Sequence, residues 1–188
     1  VTPIVTYGGV LTDRSSVADM ANALEGEGYR VVAGINGDFY NVSTGLPIGL
    51  VITDGVLRSS DAGYYAIGFR ADGTAVLGKP GVKVSADLGY AVDDGSGSPV
   101  ELIRPVIAVN KARTNSGVFL YTYDFNAKHT TGTTEAGVNV VCTVEQGQLA
   151  IGSTVTARVE RVEETTVTAI QPDQIVLSAN ANADAYYT

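Results

Sequence analysis

YRVVAGINGDFYN, residues 29–41, is the stretch on which the fold reading turns. Its first half, Tyr29 to Ile35, is apolar with little alternation, the pattern of a strand covered on both faces. Its second half breaks into Asn36, Gly37 and Asp38, then presents Phe39, Tyr40 and Asn41. Just upstream, Val17, Met20, Ala21 and Leu24 recur at i, i+3, i+4 and i+7, one apolar stripe of a helix. Ser16 is a good N-cap, and Asp19 falls in the first turn, where the helix dipole favours an anion. Gly26 and Gly28 supply the stop. A helix followed directly by a buried strand places the polar break at a strand's carboxyl end, where open α/β sheets often hold ligands.

Downstream the pattern is β. IGLVITDGVLR reads as a hairpin through Asp54-Gly55, and YYAIGFRADGTAVLG as another through Asp72-Gly73. VKVSADLG reads as a further strand, and DDGSGSP, residues 93–99, as a loop. Short strands follow in ELIRPVIAVN, GVFLYTY, GVNVVCTVE, STVTARVERVEE and QIVLSAN, at the spacing of a small barrel or sandwich. The expected class is α+β and predominantly β, with a helix packed on a mixed sheet and then a barrel- or sandwich-like part. The expected division is 1–95 as the α/β part and 96–188 as the β-rich part of the same domain.

At 188 residues the chain is long enough for one domain or two small ones, and a domain near this size buries roughly 70% of its unfolded surface. A net charge of −8 argues against a nucleic-acid backbone as partner, which needs a basic stripe. No apolar run reaches the ~20 residues that span a bilayer. The single cysteine, Cys142, lies in an alternating run and reads as a small buried hydrophobe, with no disulfide framework or thiolate metal cluster to join. The chain starts at Val1 rather than Met and reads as an excised piece of a longer protein.

The polar break offers a definite chemistry. Gly37 permits a tight turn or close approach of a ligand to backbone. Asp38 is an acceptor or acid/base, and Asn36 an amide that both donates and accepts. Phe39 and Tyr40 would lower the local dielectric around the carboxyl, and Tyr40 is a flat surface on which sugar rings pack. Asn-Gly is also a common turn dipeptide that Asp38 would merely cap. His129, the one histidine, falls in a polar loop sequence with no nearby carboxylate, which makes it an exposed loop residue rather than a ligand or triad member. Asn41-Val42-Ser43 fits the glycosylation acceptor rule. DDGSG carries oxygen ligands without the spacing of a calcium loop. Arg104, Lys111 and Arg113 cluster in sequence, as phosphate-binding cations or as surface charges.

Taken together, VVAGINGDFYNVSTGLPIGLVITDGVL resembles the N-terminal motif of the phosphodiester glycosidase family. Asn36-Gly37, Phe39-Tyr40, Pro47, Gly49 and the Asp54-Gly55 hairpin carry the likeness, and Tyr65 to Phe69, Leu120 to Val141 and IVLSAN extend it. The resemblance implies hydrolysis of a sugar-1-phosphodiester, N-acetylglucosamine-1-phosphodiester-like, in envelope or extracellular glycans, by a secreted or cell-envelope protein. It implies that Asn36, Gly37, Asp38 and Tyr40 line a sugar subsite, with Gly49 allowing close approach. Asp38 and Asn36 are the expected catalytic residues, Phe39, Asn41 and Arg104 further expected substrate contacts, and no cofactor or metal is expected. The partner is then a carbohydrate or sugar-phosphodiester. The family's later Asp-Gly-Gly-Gly-Ser motif does not occur in these 188 residues. Glycosidic cleavage commonly uses two carboxyl groups, so the 188 residues alone are expected to be inactive or very weak. The alternative is a non-catalytic carbohydrate-binding or adhesion module.

Overall fold

The computed structural model describes residues 1–181 apart from 94, 96–98 and 116. Among the described residues the order is α1 (Val17–Gly26), β1 (Val51–Thr53), β2 (Val56–Ser59), β3 (Ala66–Phe69), β4 (Ala75–Gly78), β5 (Val84–Asp93) and β6 (Pro99–Val109). It continues with β7 (Val118–Thr122), a 3-10 turn over Tyr123–Phe125, β8 (Gly137–Gln146), β9 (Thr156–Thr165) and β10 (Gln174–Asn180). The fold is mostly β. β1–β2 and β3–β4 are separate hairpins, and the other strands form one sheet in the order β5-β6-β7-β10-β8-β9.

Turn chemistry explains the hairpins. Asp54 and Gly55 both take positive φ (53° and 78°), the pair of left-handed positions that a tight two-residue hairpin demands. In the sheet every neighbouring pair is antiparallel except β6 and β7. That parallel pair is joined by a return through residues 110–117, shorter than the dozen or more residues usual for a parallel crossover.

The core lies on both faces of the central strands. Tyr121, Val176 and Val141 stand in one row across β7, β10 and β8, and each is 0% exposed. Leu11, Phe119, Phe125 and Ile170 complete that face, with Tyr7 and Leu46 packed against them. Leu57, Val106, Val109 and Leu120 form the opposite cluster. Burying an aliphatic side chain of this size contributes about 1.5–3 kcal/mol. β9, an edge strand, is largely exposed, and its Arg158 pairs with Glu145 and Glu160. Such surface pairs add little stability, but their charges discourage edge-to-edge association. The barrel- or sandwich-like part expected from sequence is this single sheet, with β5 and β9 as its edges among the described residues.

Two expectations are corrected. Ser16 and Asp19 do form a reciprocal capping box on α1, but no residue of the helix is buried. Met20, Ala23 and Leu24 instead face a cleft of about 210 Å³ shared with Thr6, Tyr7, Gly8 and Gly9. Tyr29 to Ile35, expected as a buried strand, forms no strand, and Val32 and Ile35 are 65% and 90% exposed. An apolar run becomes a strand only when another strand offers its N–H and C=O groups, and none among the described residues does so here. The 93–99 loop falls mostly outside the described residues; β5 and β6 pair antiparallel across it, so both flanks belong to one sheet.

Candidate active site around Asp38

Residues 39–48 fold back on themselves directly after the polar break. The Ile48 amide donates to Phe39 O (2.9 Å) and the Asn41 amide to Leu46 O (2.9 Å), with Tyr40 bridged to Pro47. Asn41 builds the tip: its Oδ1 accepts from the Ser43 amide (2.9 Å) and the Ser43 hydroxyl (2.6 Å), an Asx turn. Gly45 is required by this geometry. Its φ is +77°, and an added Cβ would lie 2.0 Å from the Thr12 carbonyl oxygen.

Asp38 closes the base of the loop. Its Oδ1 accepts from the Phe39 amide (2.7 Å) and its Oδ2 from the Gly49 amide (2.9 Å). Gly49 is buried beneath it, and a Cβ there would sit 3.1 Å from both carboxylate oxygens. The close approach foreseen for Gly49 is therefore first of all to Asp38. An ionised carboxylate has about four acceptor positions, so two amide donors leave capacity for a reacting group.

Below the loop lies Lys111. Its ammonium donates to the carbonyls of Pro47 (2.7 Å), Ile48 (3.0 Å) and Gly49 (3.1 Å). Burial pulls this lysine down to about 8, against the opposing pull of Asp38 and Asp61. Asn110 aims it there. That buried asparagine takes φ +51° at the end of β6, where its amide side chain bonds Arg58 O and Thr122 Oγ1 (both 2.8 Å) and accepts from the Thr122 amide (3.0 Å). The Tyr121 hydroxyl donates to Lys111 O (2.9 Å), and burial raises that phenol far above its ordinary range.

The remaining candidates divide. Asn36 and Gly37 lie exposed beside Asp38. Gly37 has no positive φ, and an added Cβ would meet nothing, so no local contact explains the glycine. Phe39 is 83% and Tyr40 43% exposed, so the aromatic enclosure expected around the carboxyl does not form. Arg104 stands on β6 opposite Ala86, and none of the loop's hydrogen bonds reaches it. Arg113 turns toward the far ends of β8 and β10, binding Ser178 Oγ (2.7 Å) and Ala136 O (3.2 Å). Lys111 and Arg113, close in sequence, thus bind different partners.

His129 is corrected as well. It is half-buried, stacked on Tyr123 with centroids 3.7 Å apart, and its Nδ1 lies 3.0 Å from Tyr123 O. Among the described residues no group of three or more His, Cys, Asp or Glu gathers to hold a metal, and no helix is long and apolar enough to cross a membrane. Sequence reasoning took Lys111 only as a phosphate-binding or surface cation, missing its place under the Asp38 loop, and missed Asn110 altogether. The available signal was an Asn-Lys pair ending a strand, because Asn tolerates the left-handed turn that redirects the next side chain.

Residues 29–157 match the phosphodiester glycosidase family. No curated protein matches the sequence. Among solved structures, a hypothetical protein from Synechocystis is similar, with a TM-score of 0.65 at 16% identity. The likeness covers 96% of this chain and 30% of that one, so the chain spans under a third of that structure. At such identity it supports the fold alone. The family match takes in the Asp38 loop, its Gly49 base and Lys111 beneath, and it extends over more than half of the sequence: the chain belongs to the phosphodiester glycosidase family.

Proposed function

We propose that this chain carries part of the active site of a hydrolase that cleaves a sugar-1-phosphodiester. In that reaction the bond between the sugar's C1 and the phosphate oxygen breaks. Water supplies hydroxyl to C1 and a proton to the departing phosphomonoester. The observation that carries the reading is the Asp38 carboxylate, fixed by two backbone amides within the segment that matches the family. Fixed geometry of this kind is what a nucleophile or base needs. Asn36 is the adjacent exposed amide, Gly37 leaves open space for a substrate to approach backbone, and Tyr40 and Asn41 flank the same edge. The substrate we favour resembles N-acetylglucosamine-1-phosphodiester in an envelope or extracellular glycan, met by a secreted or envelope-bound enzyme. The second carboxyl would come from the family's Asp-Gly-Gly-Gly-Ser motif, so residues 1–188 alone would turn over weakly or not at all.

A chromogenic sugar-1-phosphodiester assayed with the gene product that contains this chain tests the reading. Asp38→Asn should cut turnover by about a hundredfold or more, the scale of losing an acid/base group. Undiminished turnover in that variant would remove Asp38 from the mechanism. The exposed Phe39 and Tyr40 rings favour a second reading, a non-catalytic carbohydrate-binding module, since flat rings in solvent suit sugar stacking. Sugar binding without turnover across a panel of phosphodiesters would select it.

A further inference from the structure

Lys111 is the charged group beside Asp38 that the proposed chemistry leaves unused. An ammonium has three N–H donors and no acceptor. Three consecutive carbonyls, Pro47, Ile48 and Gly49, lie within 2.7–3.1 Å of Nζ and take all three. It therefore has no donor left for a substrate phosphate, the role that a lone lysine in a phosphodiester site would otherwise suggest. Its partners matter more. The Gly49 peptide that accepts from Lys111 through its oxygen belongs to the residue whose amide donates to Asp38 Oδ2. The Ser59 hydroxyl also donates to Gly49 O, at 3.4 Å. One turn of backbone is thus clamped from below by an ammonium and holds a carboxylate above.

We propose that Lys111 is a positioning residue for Asp38, acting through the Pro47–Gly49 backbone. The proposal rests on the reading of Asp38 as the acting carboxylate. Losing one proton would leave the amine two N–H donors for three carbonyls, loosening the turn and with it the Gly49 amide. The charged groups that act on the ammonium are Asp38 on the loop and Asp61 beyond β2. From β7 the Tyr121 hydroxyl faces Lys111 but is committed to its carbonyl, and Arg113 is turned away toward Ser178. Protonation of Lys111 thus sets how firmly Asp38 is held, without any contact between the lysine and substrate.

The test uses the protein labelled with 15N-glycine and 13C-carboxyl aspartate, titrated from about pH 6 to 10, a span that brackets the lowered lysine and stays below the ordinary lysine range. The Gly49 amide and the Asp38 carboxyl carbon should shift together, with a midpoint near 8. Lys111→Met should hold both signals at their alkaline positions at every pH and speed Gly49 amide exchange about tenfold or more. In turnover it should lower kcat by about tenfold with KM little changed, the mark of lost transition-state geometry rather than lost binding. A raised KM with unchanged kcat would put Lys111 on the substrate and overturn the proposal. Flat Gly49 and Asp38 signals in folded wild-type protein would overturn it too. If the variant fails to fold, the wild-type titration decides. If no phosphodiester is turned over at all, the functional reading falls while the spectroscopic titration still decides the positioning role.

Discussion

Two apolar runs of this chain end in opposite states. Phe119-Leu120-Tyr121 in β7 is buried throughout, paired with β10 and sealed on both faces. Tyr29 to Ile35, equally apolar in sequence, is unpaired and leaves Val32 and Ile35 in solvent. The difference is a supply of partners. β7 receives its ladder from β10, which in turn pairs with β8, so three strands supply the core row of Tyr121, Val176 and Val141. The 29–37 segment leads into the site with no ladder of its own, so Asp38 is held by individual hydrogen bonds to Phe39 and Gly49. The sheet is the ladder-bonded half of the molecule, and Lys111, next to the end of β6, is where it grips the site loop.

The contrast can be broken by mutation, and the largest effect should come from the sheet. Tyr121→Ala should cost about 3–5 kcal/mol in urea unfolding, the range for deleting a buried aromatic. A loss below 1 kcal/mol would mean that the core row does not carry the fold. Gly45→Ala comes next, because a Cβ would strike Thr12 O on a backbone at φ +77°. It should cost about 1–3 kcal/mol, and neutrality would contradict the loop geometry. Asp38→Asn should cost only about 1 kcal/mol while removing turnover, since an amide keeps one acceptor oxygen for one of the two backbone donors. Ile35→Ser should change stability by less than about 0.5 kcal/mol, as expected of an exposed side chain. A larger loss would show that the segment is packed after all.

Alkaline pH sharpens the same contrast. The folded lysine at position 111 titrates near 8 and the unfolded one near 10.5. Between these values the unfolded chain binds the extra proton, so unfolding free energy should rise with pH, by about 1–2 kcal/mol once solvent screening of a partly exposed group is allowed for. Tyr121 acts with the opposite sign. Burial raises its pKa above 10.0, so beyond that pH the unfolded chain loses the proton first and stability should fall. Lys111→Met should abolish the rise, and Tyr121→Phe should blunt the fall. Global stability and local order of the Asp38 loop then move in opposite directions between pH 8 and 10, which a simple alkaline melt would not show.

Much of this was legible in the sequence. The capped helix after Ser16, the Asp54-Gly55 and Asp72-Gly73 hairpins and the strands of the large sheet follow from local turn residues and alternation. So did Cys142, which is buried with its thiol pKa raised by that burial. What the sequence hid was non-local. Helical periodicity in Val17 to Leu24 marks an apolar stripe but not what covers it, and strand pattern in Tyr29 to Ile35 does not name a partner edge. His129 looked like a loop histidine because its stacking partner Tyr123 is a neighbour only once the chain turns at φ +50°. The Asp38 loop was found through its residues, whereas Lys111 is far away in sequence and enters only through the short return after β6.

The central proposal is that Asp38, which the Gly49 and Phe39 amides fix, is the working carboxylate of a phosphodiester glycosidase. The most direct test is turnover of a chromogenic sugar-1-phosphodiester by the gene product, measured beside its Asp38→Asn variant with unfolding curves for both. The account predicts turnover in the wild type and its loss in a variant that still unfolds cooperatively. Equal turnover in the two proteins would contradict it.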